Sequence, residues 1–102
     1  MSEPQPTAPP QLVLLTEKGE EVPVTGTSFL IGRSRVCDFQ PDSASLSPRH
    51  ALLQREADGW TVEDQGSARG SWLNQKPLSG RVRISDGDEL VLGLAKLILR
   101  LR

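Results

Sequence analysis

The segment LSPRH, residues 46–50, contains the only histidine of the chain, three positions after a serine. Arginines surround this pair: Arg49 directly precedes the histidine, and Arg33 and Arg35 stand upstream in IGRSR. Residues of these types could form a serine nucleophile with its base, part of a metal site, or a loop that holds an anion.

Catalysis would pair Ser47 with His50. A carboxylate, from Asp38 or Asp64, would then have to orient the imidazole as in a catalytic triad. The serine does not lie in a GxSxG nucleophile elbow, and Pro48 stiffens the segment between the two partners. Ser-x-x-His is also a common pattern by chance. The sequence gives hydrolase chemistry little support, and we predict that the protein is not an enzyme.

A metal site has still less support. Zinc sites usually take four ligands, mostly cysteine and histidine, and this chain has one of each. Carboxylates would have to complete the set, and their spacing shows no pattern. We therefore predict neither a metal nor a cofactor. Cys37 has no partner for an intramolecular disulfide, which fits a reducing compartment, and we expect it to be a small buried hydrophobic residue.

Anion binding fits the same residues better. Arg33 directly follows Gly32 at the end of a predicted strand, so its guanidinium can reach into the loops. Ser47 offers a hydroxyl, and QGSARG (65–70) offers Ser67 and free backbone N–H groups. A phosphate dianion favours several charge-assisted hydrogen bonds, and arginine presents a planar fork of donors. Because no P-loop pattern is present, we expect the phosphate to belong to a partner molecule rather than to a nucleotide.

The segments that position these loops have the pattern of β-strands. Glycines and prolines are so frequent that no stretch free of both exceeds ten residues, which leaves no room for several helices of average length. Apolar and polar residues alternate in SFLIG, WTVED, RVRIS and KLILRLR, the period of half-buried strands. Turn signals in EKGEE, ADGW and SDGD separate such runs. Many short strands predict an all-β sandwich, with residues 34–49 and 64–71 as its longest loops.

Composition limits the class of protein further. A chain of 102 residues forms one domain, and its net charge of −1 favours neither nucleic acid nor an anionic membrane as partner. No apolar run approaches the 18 or more residues of a membrane span. The first ten residues contain four prolines and no signal-peptide pattern. We predict a flexible proline-rich tail or linker over residues 1–10, a folded domain over 11–102, and a monomeric cytoplasmic protein.

Two ordered segments resemble a known family. They are FLIGRSRVCDFQPDSASLSPRHALL (29–53) and WTVEDQGSARGSWLNQKPL (60–78). The order Gly-Arg, Ser-x-x-His, Asp-x-Gly-Ser and Asn is similar to that of the forkhead-associated (FHA) domain family, and the resemblance covers residues 12–102. It implies an eleven-stranded β-sandwich of the FHA/SMAD-like type with recognition loops at one end. It also implies binding of phosphothreonine in partner proteins, downstream of Ser/Thr kinases.

The resemblance implies roles for individual residues. Arg33 would be the principal phosphate contact, and Ser47 would be its hydroxyl partner. His50 would brace the loop that presents Ser47, rather than act as a base. The other predicted peptide-binding residues are Ser67, Ala68, Arg69 and Arg35, and the predicted loop-structuring residues are Gly32, His50, Asp64, Gly66, Gly70 and Asn74.

The chain departs from the family pattern at three positions. Ala68 and Arg69 stand where GSTNGT has threonine and asparagine, which hold the phosphothreonine and the peptide main chain. Arg69 adds positive charge beside Arg33 and Arg35, which predicts a preference for acidic peptides. Gln75 replaces a frequent glycine and predicts a less tight turn. These departures keep an alternative open, an FHA-like scaffold that binds partners without phosphate through its sheet faces or edges.

Overall fold

Two antiparallel β-sheets form the described part of the chain, residues 10–102, in the computed structural model. Residues 1–9, and with them nearly all of the predicted tail, lie outside the described residues. The strand order is β2-β1-β10-β9-β6-β7 in one sheet and β3-β4-β5-β8 in the other. The strands are β1 (Leu12–Thr16), β2 (Glu21–Pro23), β3 (Ser28–Ile31), β4 (Ala51–Glu56), β5 (Gly59–Asp64), β6 (Ser71–Leu73), β7 (Lys76–Pro77), β8 (Arg81–Arg83), β9 (Asp88–Leu92) and β10 (Ala95–Leu101).

Alternating side chains of both sheets form the core. In β10, Leu97 and Leu99 are buried, whereas Lys96 and Arg100 face solvent. This alternation is what the period-two pattern predicts, so the predicted all-β sandwich is confirmed. The buried cluster comprises Leu12, Leu14, Val24, Phe29, Ile31, Leu46, Ala51, Leu53, Trp60, Val62, Leu73, Ile84, Leu90, Leu92, Leu97 and Leu99.

The strand count differs slightly from the eleven that the resemblance implied. Residues 10–102 contain ten strands, and Phe39 adds only a single parallel bridge to Ile31. Pairing stops at Phe39, and Pro41, two residues later, has no N–H to donate to a ladder. The segment after Phe39 is therefore loop.

The turn between β6 and β7 is tighter than predicted. Leu73 pairs with Lys76, so only Asn74 and Gln75 connect the two strands. Both residues have positive φ, 52° and 71°, which is the conformation of a two-residue hairpin turn. The prediction of a less tight turn at Gln75 is wrong. The glutamine adopts the left-handed conformation that the two-residue turn requires, although a glycine would adopt it with less strain.

This turn yields a stability prediction. Gln75→Gly should raise the free energy of unfolding by about 0.5–1 kcal/mol, since a left-handed non-glycine residue costs about 1–2 kcal/mol and the added chain entropy offsets about half. The melting temperature should rise by several degrees. Gln75→Ala is the matched control, because it keeps the Cβ and should bring no such gain. Equal melting temperatures for the glycine and alanine variants would contradict this account.

Four connections meet at one end of the sandwich, here called the loop end. They are the β1–β2 turn (17–20), the β3–β4 loop (32–50), the β5–β6 loop (65–70) and the β9–β10 turn (93–94). Antiparallel pairing of β1 with β10 brings the first and last of these together, because Thr16 lies opposite Leu97. The topology therefore gathers at the loop end the singled-out residues of the β3–β4 and β5–β6 loops.

Candidate functional site

The β3–β4 loop packs closely on itself where it leaves the sheet. Ser34 N and Cys37 Sγ both donate to the Pro48 carbonyl, each at 3.0 Å. A Cβ on Gly32 would lie 2.3 Å from the same oxygen, so only glycine fits at this close approach. Cys37 is buried as predicted, and this burial raises the pKa of its thiol.

Hydrogen bonds fix the backbone and the Nε of Arg33 and leave its terminal Nη groups without a partner in residues 10–102. Its N–H donates to the Ser47 carbonyl at 3.0 Å, and its Nε donates to the Leu46 carbonyl at 3.1 Å. The side chain is exposed and forms no ion pair with a carboxylate of residues 10–102. Its terminal Nη groups therefore face solvent as oriented donors.

Ser47 connects the two large loops. Its Oγ accepts a hydrogen bond of 2.9 Å from the backbone N–H of Ala68 in the β5–β6 loop. Its own N–H donates to Nδ1 of His50 at 3.1 Å. Because the hydroxyl oxygen acts here as an acceptor, its proton stays free to donate to an anion.

His50 is fully buried, and both ring nitrogens are occupied. Nδ1 accepts from Ser47 N–H, so the ring proton lies on Nε2, which donates to the Gly70 carbonyl at 2.8 Å. The nearest carboxylate oxygen, Asp64 Oδ1, is 4.0 Å from Nε2. Neither nitrogen can take a proton from the Ser47 hydroxyl, so the geometry is not that of a catalytic pair.

Asp64 organises the β5–β6 loop. Oδ1 accepts from the hydroxyls of Ser67 (2.6 Å) and Ser71 (2.5 Å), and Oδ2 accepts from Ser67 N–H at 3.0 Å. Burial alone would raise the pKa of Asp64, but these hydrogen bonds outweigh it and lower the pKa below its ordinary value. The resulting stabilisation is present at neutral pH and is lost as the pH falls through the lowered pKa.

The Ser67 hydroxyl is engaged within its own loop. It gives its proton to Asp64 and accepts the N–H of Gly70 at 2.9 Å. Gly66 and Gly70 have φ of 72° and 86°, so the loop bends through two left-handed positions. In this structure Ser67 shapes the loop, and its predicted contact with a peptide would need its hydroxyl to exchange partners.

The loop end also carries positive charge without acidic partners. Four arginines of the two loops are exposed, and none lies within ion-pair distance of a carboxylate of residues 10–102; they are Arg33, Arg35, Arg49 and Arg69. Six other lysines and arginines do form ion pairs with aspartate or glutamate: Lys18, Arg81, Arg83, Lys96, Arg100 and Arg102. The loops thus keep several cations free for an external anion.

One predicted site residue lies apart from the others, and two neighbours of the site were not predicted. Asn74 belongs to the β6–β7 turn, where it accepts from Glu89 N–H at 3.0 Å and donates to Asp88 at 2.9 Å.

Ser45 and Leu94 join the site through a 2.9 Å hydrogen bond from Leu94 N to Ser45 Oγ. The two residues are 49 positions apart, and no local pattern in the sequence indicates such a contact.

Two kinds of site lack support in the described residues. No three histidine, cysteine, aspartate or glutamate side chains come together there as a metal ion would require. Within residues 10–102 there is also no helix of the length and apolarity needed to cross a membrane.

Comparisons with known proteins agree on one family. The FHA domain model matches residues 29–93. The oxoglutarate dehydrogenase inhibitor of Corynebacterium jeikeium is 32% identical over 93 residues, 84% of this chain and 62% of that protein. The glycogen accumulation regulator GarA of Mycobacterium tuberculosis is 30% identical over 97 residues, 88% of this chain and 57% of that protein. The chain therefore spans less than two thirds of the length of either relative.

Solved structures agree on the fold. A domain studied for phosphothreonine-dependent FHA domain interactions superimposes with a TM-score of 0.83 at 23% identity. The match covers 90% of this chain and 97% of that chain. At this identity the likeness concerns the arrangement of the two sheets rather than the ligand.

Proposed function

The chain belongs to the FHA domain family, and on that premise we propose that it is a phosphopeptide-binding module that recognises phosphothreonine in partner proteins. The partners would be substrates of Ser/Thr kinases. The phosphate would lie between the Nη groups of Arg33 and the hydroxyl of Ser47. The module itself carries out no chemistry.

A single observation carries the proposal. Hydrogen bonds to the backbone on either side of Ser47 hold Arg33 in place, and the terminal Nη groups of its guanidinium stay free. Arg33 N–H binds the Ser47 carbonyl, and Arg33 Nε binds the carbonyl one residue before it. A fixed guanidinium beside a free hydroxyl suits the charge and the several acceptors of a phosphate dianion.

The same geometry argues against the other classes. An esterase would need a base for Ser47, and both His50 nitrogens are bound to backbone groups. Two of the four edge strands are poor templates for self-association, since β7 has two residues, one of them proline, and β8 presents Arg81 and Arg83. We therefore propose a monomer that acts in the cytoplasm without cofactor, nucleic acid or membrane.

One titration tests this function. A threonine peptide is titrated by calorimetry in phosphothreonine, phosphoserine and unphosphorylated forms. We expect binding of the phosphothreonine form, weaker binding of the phosphoserine form and none of the unphosphorylated form. Equal affinity for all three forms would support the alternative, a scaffold that binds without phosphate, which the Ala68 and Arg69 departures favour.

Arg69 gives a prediction about ionic strength. Arg69 follows Ala68, whose N–H binds Ser47, so its exposed charge lies beside the proposed phosphate site. Binding should weaken as salt rises toward physiological ionic strength, where the screening length is about 8 Å. Arg69→Asn should reduce this salt dependence and relax any preference for acidic residues near the phosphothreonine.

Lys76→Asn is the matched control for the loss of one positive charge. Lys76 is exposed on β7, beyond the turn at the far end of β6 from the loops. This control should keep the wild-type salt dependence. If Arg69→Asn and Lys76→Asn behave alike in titrations at several salt concentrations, Arg69 has no special role.

A further inference from the structure

Asp38 is the acidic residue nearest in the sequence to the proposed phosphate contact, Arg33. It is exposed, yet its carboxylate forms no ion pair with a cation of residues 10–102. Its Oδ2 instead accepts the backbone N–H of Leu30 in β3 at 2.8 Å. The carboxylate is therefore bound to the backbone of the sheet rather than to the arginines of its own loop.

Asp38 also binds the Leu30 backbone with its own N–H. Asp38 N donates to the Leu30 carbonyl at 2.8 Å, so one residue occupies both polar backbone groups of Leu30. An edge strand such as β3 otherwise presents these groups to solvent or to another strand. Asp38 thus forms a clasp that returns the β3–β4 loop to the strand from which it started.

The clasp closes the turn that carries Arg33. Residues 33–37, here called the arginine turn, follow Gly32 at the end of β3 and return to β3 at Asp38. At the first residue of the turn, Arg33 N donates to the Ser47 carbonyl at 3.0 Å. The position of the guanidinium therefore depends on how both ends of the arginine turn are held.

The charges of the recognition loops are arranged in the same way. Residues 32–50 and 65–70 contain four arginines but only two aspartates. Asp42 forms an ion pair of 3.7 Å with Lys18, and Asp38 has the Leu30 N–H as its partner. Loss of the charge of Asp38 should favour a bound anion, whereas loss of its hydrogen bond should disfavour one, so substitutions can separate the two effects.

We propose that Asp38 is a positioning residue for phosphate recognition. Its carboxylate ties the arginine turn to β3 and thereby holds the guanidinium of Arg33 beside the hydroxyl of Ser47. This inference rests on the proposed function, because it assigns Asp38 a role that acts through the proposed phosphate contact.

The domain should stay folded without this carboxylate, because backbone hydrogen bonds hold the same part of the chain. Asp38 N–H still donates to the Leu30 carbonyl, and Gly32 N–H donates to the Phe39 carbonyl at 3.2 Å. The N–H that loses its partner lies at an exposed edge of the sheet, where water can bind it. Substitution should therefore loosen the arginine turn without unfolding the sandwich.

The test compares Asp38→Ala with Asp38→Asn. Both variants remove the negative charge, but the asparagine keeps a side-chain oxygen that can accept the Leu30 N–H. Calorimetry measures the affinity of each for one phosphothreonine peptide. We expect Asp38→Ala to bind about 3- to 10-fold more weakly than Asp38→Asn, and Asp38→Asn to bind at least as tightly as the wild type.

Asp42→Ala is the matched control for an aspartate of the same loop. Its carboxylate is exposed and pairs with Lys18 rather than with the backbone of β3, so this variant should bind at least as tightly as the wild type. Equal affinities for folded Asp38→Ala and Asp38→Asn would overturn the positioning role.

The NMR signal of the Arg33 Nε–H shows whether the effect passes through the arginine. In the wild type this group donates to the Leu46 carbonyl at 3.1 Å, which should slow its exchange with water. The signal should shift or broaden in Asp38→Ala and stay in place in Asp38→Asn. Weaker binding by Asp38→Ala with an unchanged Arg33 signal would overturn the proposal and leave the proposed function intact. Wild-type binding that ignores the phosphate would instead remove the proposed function.

Discussion

Replacing Arg33 with alanine should abolish measurable binding of phosphothreonine peptides while leaving the domain folded. Removing one partner of a charged hydrogen-bonded pair costs about 2–5 kcal/mol, which is roughly 30- to several-thousand-fold in affinity. The stability cost should be small, because the side chain is exposed and gives the fold one hydrogen bond, from Nε to the Leu46 carbonyl. Calorimetry and thermal melting of the same sample measure the two effects.

Two variants make this prediction specific. Arg35→Ala removes an exposed arginine of the same loop and should reduce affinity far less, by screened charge alone. Ser47→Ala should cost about 1.5–3 kcal/mol of binding, because it removes a donor to a charged acceptor. If folded Arg33→Ala kept wild-type affinity, the assignment of the phosphate site would be wrong.

The fold was predictable because its cause is local. Alternation in KLILRLR places Leu97 and Leu99 on one face of β10 whatever the neighbouring strand, and the frequent glycines and prolines exclude long helices. The loop end was predictable only in outline. The sequence indicated which segments were loops, and the family resemblance supplied the order of their residues.

Contacts between distant loop residues were not predictable. The Ser47 Oγ accepts the N–H of Ala68, which lies 21 residues later and in the other loop, and no residue-type rule indicates this partner. Gly32 is required by the Pro48 carbonyl sixteen residues later, rather than by its φ. Such packing depends on how two loops meet, and the one-dimensional pattern carries no information about that.

The arrangement of charge explains how a chain of net charge −1 can still attract an anion. Six cations form ion pairs with acidic neighbours, whereas the four loop arginines form none with the carboxylates of residues 10–102. The potential at the loop end is therefore set by local rather than total charge. The net charge gave no support to nucleic acid as a general partner, and it said nothing about a small, focused anion site.

His50→Ala should give the largest loss of stability of the substitutions considered. The ring is fully buried and joins the Ser47 N–H to the Gly70 carbonyl. Truncation leaves both backbone groups without a partner and creates a cavity, which together should cost about 3–5 kcal/mol. The melting temperature should fall by at least about 12 °C, and phosphopeptide affinity should fall as well, because the backbone of Ser47 loses its anchor.

Two conservative variants separate the effect of anchoring the Ser47 backbone on binding from the effect of overall stability. In His50→Asn the side-chain oxygen can stand in for Nδ1 and accept the Ser47 N–H, whereas in His50→Gln the amide nitrogen can stand in for Nε2 and donate to Gly70. Both variants should have a lower melting temperature than the wild type. At 10 °C, where both are folded, the phosphopeptide affinity of His50→Asn should stay within about threefold of the wild type, whereas that of His50→Gln should fall about tenfold. Equal affinities for the two variants would show that the Ser47 anchor does not govern binding. An alanine variant that melts like the wild type yet binds no peptide would instead make His50 a direct contact of the ligand.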